Sequence, residues 1–169
     1  KLRVAGRLDE DFRRRLAVKA FALTRDYDTA IHAYLARELL PQESLEEELP
    51  PILSLGLTRI LDLRYGENPH QRAGLYAVRP DATPMGGEVL GGKELSYNNL
   101  LDLDAAWRAV SLFEQPAVAV IKHLNPTGIA IGPTAADALP LAVASDPVSA
   151  FGGVIAVNRT VDEALVRAL

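Results

Sequence analysis

Cysteine is absent from the 169 residues, which excludes disulfides and thiolate metal sites and fits a cytoplasmic protein. No apolar stretch reaches the ~20 residues of a membrane span, and no signal-peptide pattern opens the chain. Internal repeats, heptads and low-complexity tracts are missing as well, so solenoids and coiled coils drop out. Lysine is scarce, 4 against 14 arginines, and the net charge is −4. No basic run tracks a phosphate backbone, which argues against nucleic-acid binding. The one basic cluster, Arg13-Arg14-Arg15, falls in a helical pattern and reads as a solvated face.

What remains is an ordinary globular composition, with 49% apolar and 24% charged residues. The chain starts on Lys1. Its last stretch pairs Thr160 with Glu163 as a capping box, followed by Val161, Leu165 and Leu169 at helical spacing. Both ends read as cuts within a longer protein. A helix is expected from Asp11 to about Thr24, and a second one capped by Asp28 with the stripe Ile31, Tyr34, Leu35 and Leu39. The acidic, proline-closed segment 41–51 reads as a linker.

Beyond it the pattern becomes α/β. Strands are expected at 57–63, 74–78, 117–121, 128–132 and 154–157, with a short one in the glycine-rich stretch 86–92. Helices are expected at 98–113 and 135–144, where Pro140 must kink the helix or mark its true start. The run 117–121 is apolar throughout, as for a strand covered on both faces.

Four stretches carry polar chemistry. In "AVAVIKHLNP" a buried strand runs into Lys122 and His123, and "NPTG" (125–128) turns the chain. Neighbouring residues on a strand point to opposite sides, so both reach one ligand only if the strand ends between them. A lysine reaching solvent and a histidine bonded to a loop carbonyl would account for them equally well. "LRYGENPHQRAGLY" (63–76) collects Arg64, Tyr65, His70 and Arg72. A guanidinium suits forked binding of phosphate or carboxylate, whereas Gly66 and Asn68-Pro69 also make a plain polar turn. "LSYNNLLDLDAAW" (95–107) opens a helix with two asparagines, of which capping explains one. "SDPVSAFGGVIAVN" (145–158) places Gly152-Gly153 before a strand, where backbone approaches a ligand closely.

Taken in order, "LRYGENPHQ", "LSYNNLLDLDAAW", "VIKHLNPTG" and "ASDPVSAFGG" closely resemble the bifunctional purine-biosynthesis family, which joins an aminoimidazole carboxamide ribotide formyltransferase to an IMP cyclohydrolase. Residues 13–35 resemble the tail of that family's cyclohydrolase domain. The resemblance implies cyclohydrolase helices at 1–40, a linker at 41–51 and the first part of the transferase domain at 52–169. It implies an α/β fold with the layered sheet of cytidine deaminases. It further implies a homodimer and 10-formyltetrahydrofolate as co-substrate, with no metal and neither nucleic acid nor membrane as partner.

By the same resemblance Lys122 and His123 are the catalytic pair, and Arg64, Tyr65, Asn99 and Gly152 contact the ribotide; His70 is a possible helper. One departure stands at Thr127, where the family often has cysteine. The ribotide's amine is conjugated to an imidazole bearing a carboxamide and is a poor nucleophile. The transfer therefore needs a base near the amine and a cation near developing negative charge, which histidine and lysine can supply. Two other readings are weighed against this one. A zinc deaminase needs cysteine ligands, which the chain lacks. A non-catalytic nucleotide-binding or scaffolding segment fits a chain cut at both ends.

Overall fold

Between Glu10 and Leu39 the sequence holds neither glycine nor proline. In the computed structural model, which describes residues 8–39 and 53–169, that stretch is one 30-residue helix, α1 (Glu10–Leu39). The expected break at Asp28 does not occur. An aspartate inside a helix costs only about 0.7 kcal/mol relative to alanine, and interrupting the helix would require a second costly nucleation. Asp9 fixes the start, its Oδ1 accepting the Phe12 N–H at 2.7 Å. No described residue of α1 is buried. The segment 41–51, read as a linker, lies outside the described residues. The chain divides into two compact units, Lys1–Thr58 and Arg59–Leu169.

β1 (Thr58–Leu63), which lies in the second unit from Arg59 on, and β2 (Ala73–Ala77) form a two-stranded sheet. The glycine-rich stretch makes no strand. It holds one 3-10 turn at Pro84–Gly86, and Met85, Gly86 and Gly92 take φ values of 54, 74 and 97°, which break extended pairing. Then follow α2 (Tyr97–Ser111), β3 (Ala117–Lys122), β4 (Asn125–Ile131), α3 (Ala135–Ala144), α4 (Pro147–Ala150), β5 (Val154–Val157) and α5 (Glu163–Ala168).

The second sheet has the order β4-β3-β5, and β3 runs antiparallel to both neighbours. Residues 117–120 are wholly buried. Burial on both faces is commoner in parallel sheets; here helices cover either side of an antiparallel one. Val118 and Val120 share a core with Ala138, Leu139 and Ala142 of α3 and Leu165 of α5. Ala119 and Ile121 share another with Ala106 and Val110 of α2 and Ala156 of β5. Fully burying each valine, isoleucine or leucine contributes about 1.5–3 kcal/mol. The small residues bring backbones close: a Cβ on Gly128 would lie 1.9 Å from the Ala142 carbonyl oxygen.

Caps set the helix limits. Thr134 opens α3, its hydroxyl accepting the Asp137 N–H at 3.2 Å, and α3 continues through Pro140, which therefore does not mark the start. α5 is capped by Asp162 rather than by the Thr160–Glu163 box, because the nearer carboxylate takes the Leu165 N–H at 2.8 Å. Asn158 ties the start of β3 to the end of α2. Its Oδ1 accepts the Ala117 N–H at 2.8 Å, and its Nδ2 donates to the Phe113 and Gln115 carbonyls, both at 2.8 Å. Among the described residues no helix is long and apolar enough to cross a membrane.

Candidate active site

β3 sheds its apolar character where its cover ends, at Lys122. His123 and Leu124 form a two-residue loop to β4 with φ of 51 and 65°, the pattern of a type I′ hairpin turn. The strand therefore ends between Lys122 and His123, the condition for both side chains to serve one ligand. The turn precedes Asn125 rather than occupying residues 125–128: Asn125 pairs with Lys122, and Pro126 stands opposite Ile121. Proline is tolerated there because β4 is an edge strand. The register slips by one between Val120 and Ile121, leaving Thr127 as the extra residue. The Thr127 hydroxyl donates to the Val120 carbonyl at 3.2 Å, a structural task for the position that departs from the family pattern.

α2 gathers the other motifs around this turn. Its N-cap is Ser96, in a capping box with Asn99, whose Oδ1 accepts from the Ser96 N–H (3.0 Å) and hydroxyl (2.9 Å). Asn99 thus keeps its amide N–H groups for other partners. Asn98 donates from Nδ2 to the Glu67 carbonyl at 3.1 Å. The Arg64 N–H donates to the Leu95 carbonyl and the Tyr97 N–H to the Tyr65 carbonyl, at 2.8 and 3.1 Å. One helical turn further, about 6 Å along the axis, Asp102 Oδ1 accepts the Leu124 N–H at 2.8 Å. The Arg64–Tyr65 loop and the Lys122–His123 turn are therefore moored to adjacent turns of one helix.

The fourth motif joins through Lys122, whose Nζ donates to the Phe151 carbonyl at 2.9 Å. Gly152 follows with a φ of 76°, and a Cβ there would meet no atom within 4 Å. Gly153 differs: its Cβ would lie 2.9 Å from the Ile121 carbonyl oxygen, so it is glycine for packing. Asp146 caps α4. Hydrogen bonding from the Ser149 side chain, then from the Ser149 N–H at 3.0 Å, with a smaller contribution from the Lys122 charge, holds its carboxyl below the ordinary aspartate range.

A cleft of about 610 Å³ opens beside β1 and β2, lined by Arg59, Arg64, His70, Gln71 and Arg72 among others. Arg59 is paired with Asp62 at 3.0 Å. The Arg64 guanidinium stacks 4.7 Å from the Tyr65 ring centroid and donates to its Oη at 3.0 Å. Neither Arg64 nor Arg72 has an ion-pair partner among the described residues. His70 shares this cleft with Arg64, whereas Lys122 and His123 do not line it. Among the described residues no group of three or more His, Cys, Asp or Glu is placed to hold a metal ion.

The sequence reading missed Asp102 and Asp146. Asp102 carried no signal of its own, because its partner is the Leu124 N–H, which only the fold brings to it. Asp146 reads only as an ordinary cap.

The chain matches the family model described as "AICARFT/IMPCHase bienzyme" over residues 1–169. It is 50% identical over 164 residues to the "Bifunctional purine biosynthesis protein PurH" of two Desulfitobacterium hafniense strains, DSM 10664 / DCB-2 and Y51. The match covers 95% of this chain and 32% of each relative, so the chain spans about a third of their length. Lys122, His123 and the residues moored around α2 thus stand within a match that runs the length of the sequence, and the chain belongs to the AICARFT/IMPCHase bienzyme family.

Proposed function

We propose that this chain carries the lysine–histidine part of a formyltransferase site in de novo purine biosynthesis, in a protein that also cyclises the product to IMP. The observation that carries this reading is the mooring of Arg64–Tyr65 and Lys122–His123 on adjacent turns of α2, with Gly152 tied in through Lys122. A phosphate-binding group, an amine-side base and a cation are then parts of one constellation.

In this reading Arg64 and Tyr65 hold the ribotide, with Asn99 and Gly152 as further contacts. His123 takes a proton from the ribotide amine as the nitrogen attacks the formyl carbon of 10-formyltetrahydrofolate. Lys122 meets the negative charge on the formyl oxygen, oriented by the Phe151 carbonyl. The bond from formyl carbon to folate nitrogen then breaks, and that nitrogen leaves protonated as tetrahydrofolate. Imidazole suits the first role because it ordinarily titrates near neutrality.

The same reading assigns residues 1–40 to the end of the cyclohydrolase domain, 41–51 to a linker and 52–169 to the start of a transferase domain with cytidine-deaminase-like layering. It places the protein in the cytoplasm as a homodimer. His70, in the cleft with Arg64, is assigned to the substrate side.

The test is made in the full-length protein. His123→Ala and Lys122→Ala should each lower formyl transfer by about 10²-fold or more, with cyclohydrolase activity kept. Arg64→Ala should weaken ribotide binding far more than folate binding. Near-normal transfer in His123→Ala would return that histidine to a structural role, and equal losses of both ligands in Arg64→Ala would point to misfolding.

A further inference from the structure

The turn that presents His123 is built from residues that do not favour it. Type I′ turns call for asparagine and glycine, because both central residues need positive φ. Here histidine and leucine occupy those positions, and leucine gains no local hydrogen bond from its side chain to offset the steric cost. Something must hold the turn. The peptide unit between His123 and Leu124 is pinned at both ends: its carbonyl oxygen accepts from Asn125 Nδ2 at 2.8 Å, and its N–H donates to Asp102 Oδ1 at 2.8 Å. Asn125 belongs to the hairpin itself and moves with it. Asp102 belongs to α2, 22 residues upstream, and is the half of the pin that references the turn to the rest of the site.

We infer that Asp102 is a positioning residue for formyl transfer: by accepting the Leu124 N–H, its carboxylate keeps the turn that follows Lys122 in the form that fixes His123 relative to α2, the helix to which the Arg64–Tyr65 loop is also tied. This rests on the formyl-transfer reading above. Without the acceptor, the 123–124 peptide plane can rotate, changing ψ of His123 and φ of Leu124 together and relieving the leucine. The base then samples several placements instead of one. A charged acceptor makes the stronger hydrogen bond, and a neutral amide oxygen of the same shape keeps most of it.

Asp102→Ala in the full-length protein should lower kcat for formyl transfer by about 10- to 100-fold, the scale of a small misplacement of a reacting group. The KM for ribotide should stay within about threefold, since Asp102 bonds backbone rather than ligand. Cyclohydrolase activity serves as the internal control for folding. Asp102→Asn, which retains an acceptor oxygen, should recover most of the loss. Leu124→Gly should restore about tenfold when added to Asp102→Ala, because glycine takes positive φ without steric cost. Hydrogen exchange at the Leu124 amide should be slow in the parent and in Asp102→Asn, and fast in Asp102→Ala.

Normal kcat in Asp102→Ala overturns the inference. So does a loss that neither Asp102→Asn nor Leu124→Gly recovers, which would make Asp102 a direct ligand of the substrate. If Asp102→Ala does not fold, Asp102→Glu displaces the carboxylate by one methylene and is judged by the same rescue. His123→Ala is run beside them. Full activity there removes the reading on which this inference rests, whereas an inactive His123→Ala with a normal Asp102→Ala removes the positioning role alone.

Discussion

A side chain at residue 128 would collide with the Ala142 carbonyl oxygen, whereas one at residue 152 would stand in open space. Gly128→Ala should therefore cost about 3 kcal/mol or more in chemical denaturation, because backbone and not a movable side chain blocks it. A Gly128→Ala protein of ordinary stability would mean that β4 and α3 do not pack as closely as described. Gly152→Ala should cost only about 1–2 kcal/mol, for the positive φ. Its larger effect should be a raised KM for ribotide, and an unchanged KM would remove Gly152 from the substrate contacts. Sequence alone cannot separate Gly152 from Gly153, because the distinction lies in what faces each α-carbon. The position of Lys122 and His123 at the end of an apolar strand was legible, whereas their roles are a proposal that rests on the family resemblance. Asp102 was not legible, because its partner is a backbone N–H brought to it only by the fold.

The short helix α4 is held at its start by Asp146, and this cap depends on pH. The Ser149 side chain and N–H, with a smaller pull from Lys122, stabilise the ionised carboxylate, so the folded pKa lies below the unfolded one. The cap's stabilisation is then present at neutral pH and is lost as pH falls through that depressed folded value. An NMR titration of the Asp146 carboxyl should give a midpoint below the ordinary aspartate range, moving toward it in Lys122→Ala. A midpoint at or above the ordinary range would contradict the cap. Elements were legible where one local rule dominated, as in the apolar run of β3; the cap of α2 was assigned to an asparagine, whereas Ser96 is the N-cap and Asn99 completes its box. They were misread where two rules competed. Asp28 had cap chemistry but no helix break beside it, Thr160 fitted a box that Asp162 pre-empted, and glycines at 86–92 took left-handed backbone instead of pairing. The turn at His123–Leu124 was displaced in the reading because neither residue carries the usual turn signal.

Across the molecule, apolar side chains divide unevenly. β3 is enclosed on both faces, while α1 leaves Phe21 77%, Leu23 71% and Leu39 71% exposed. Apolar surface of that kind tends to be covered by association. The 169-residue chain alone should therefore sediment as oligomers or aggregates at micromolar concentration, without formyltransferase turnover. A stable monomer would show that α1 is tolerated in water as it stands, and an active one would redraw the limits of the site. The two-residue loop between β3 and β4 has a consequence in time as well as in space. Hairpins close in about 1–10 µs because their ends are neighbours in the chain. β5 can join β3 only after residues 132–153 have been brought round, at a larger loop-closure cost. Lys122 and His123 thus ride on the contact of lowest order in the sheet, while the bond that fastens them to α2 spans 22 residues and carries the larger loop-closure cost.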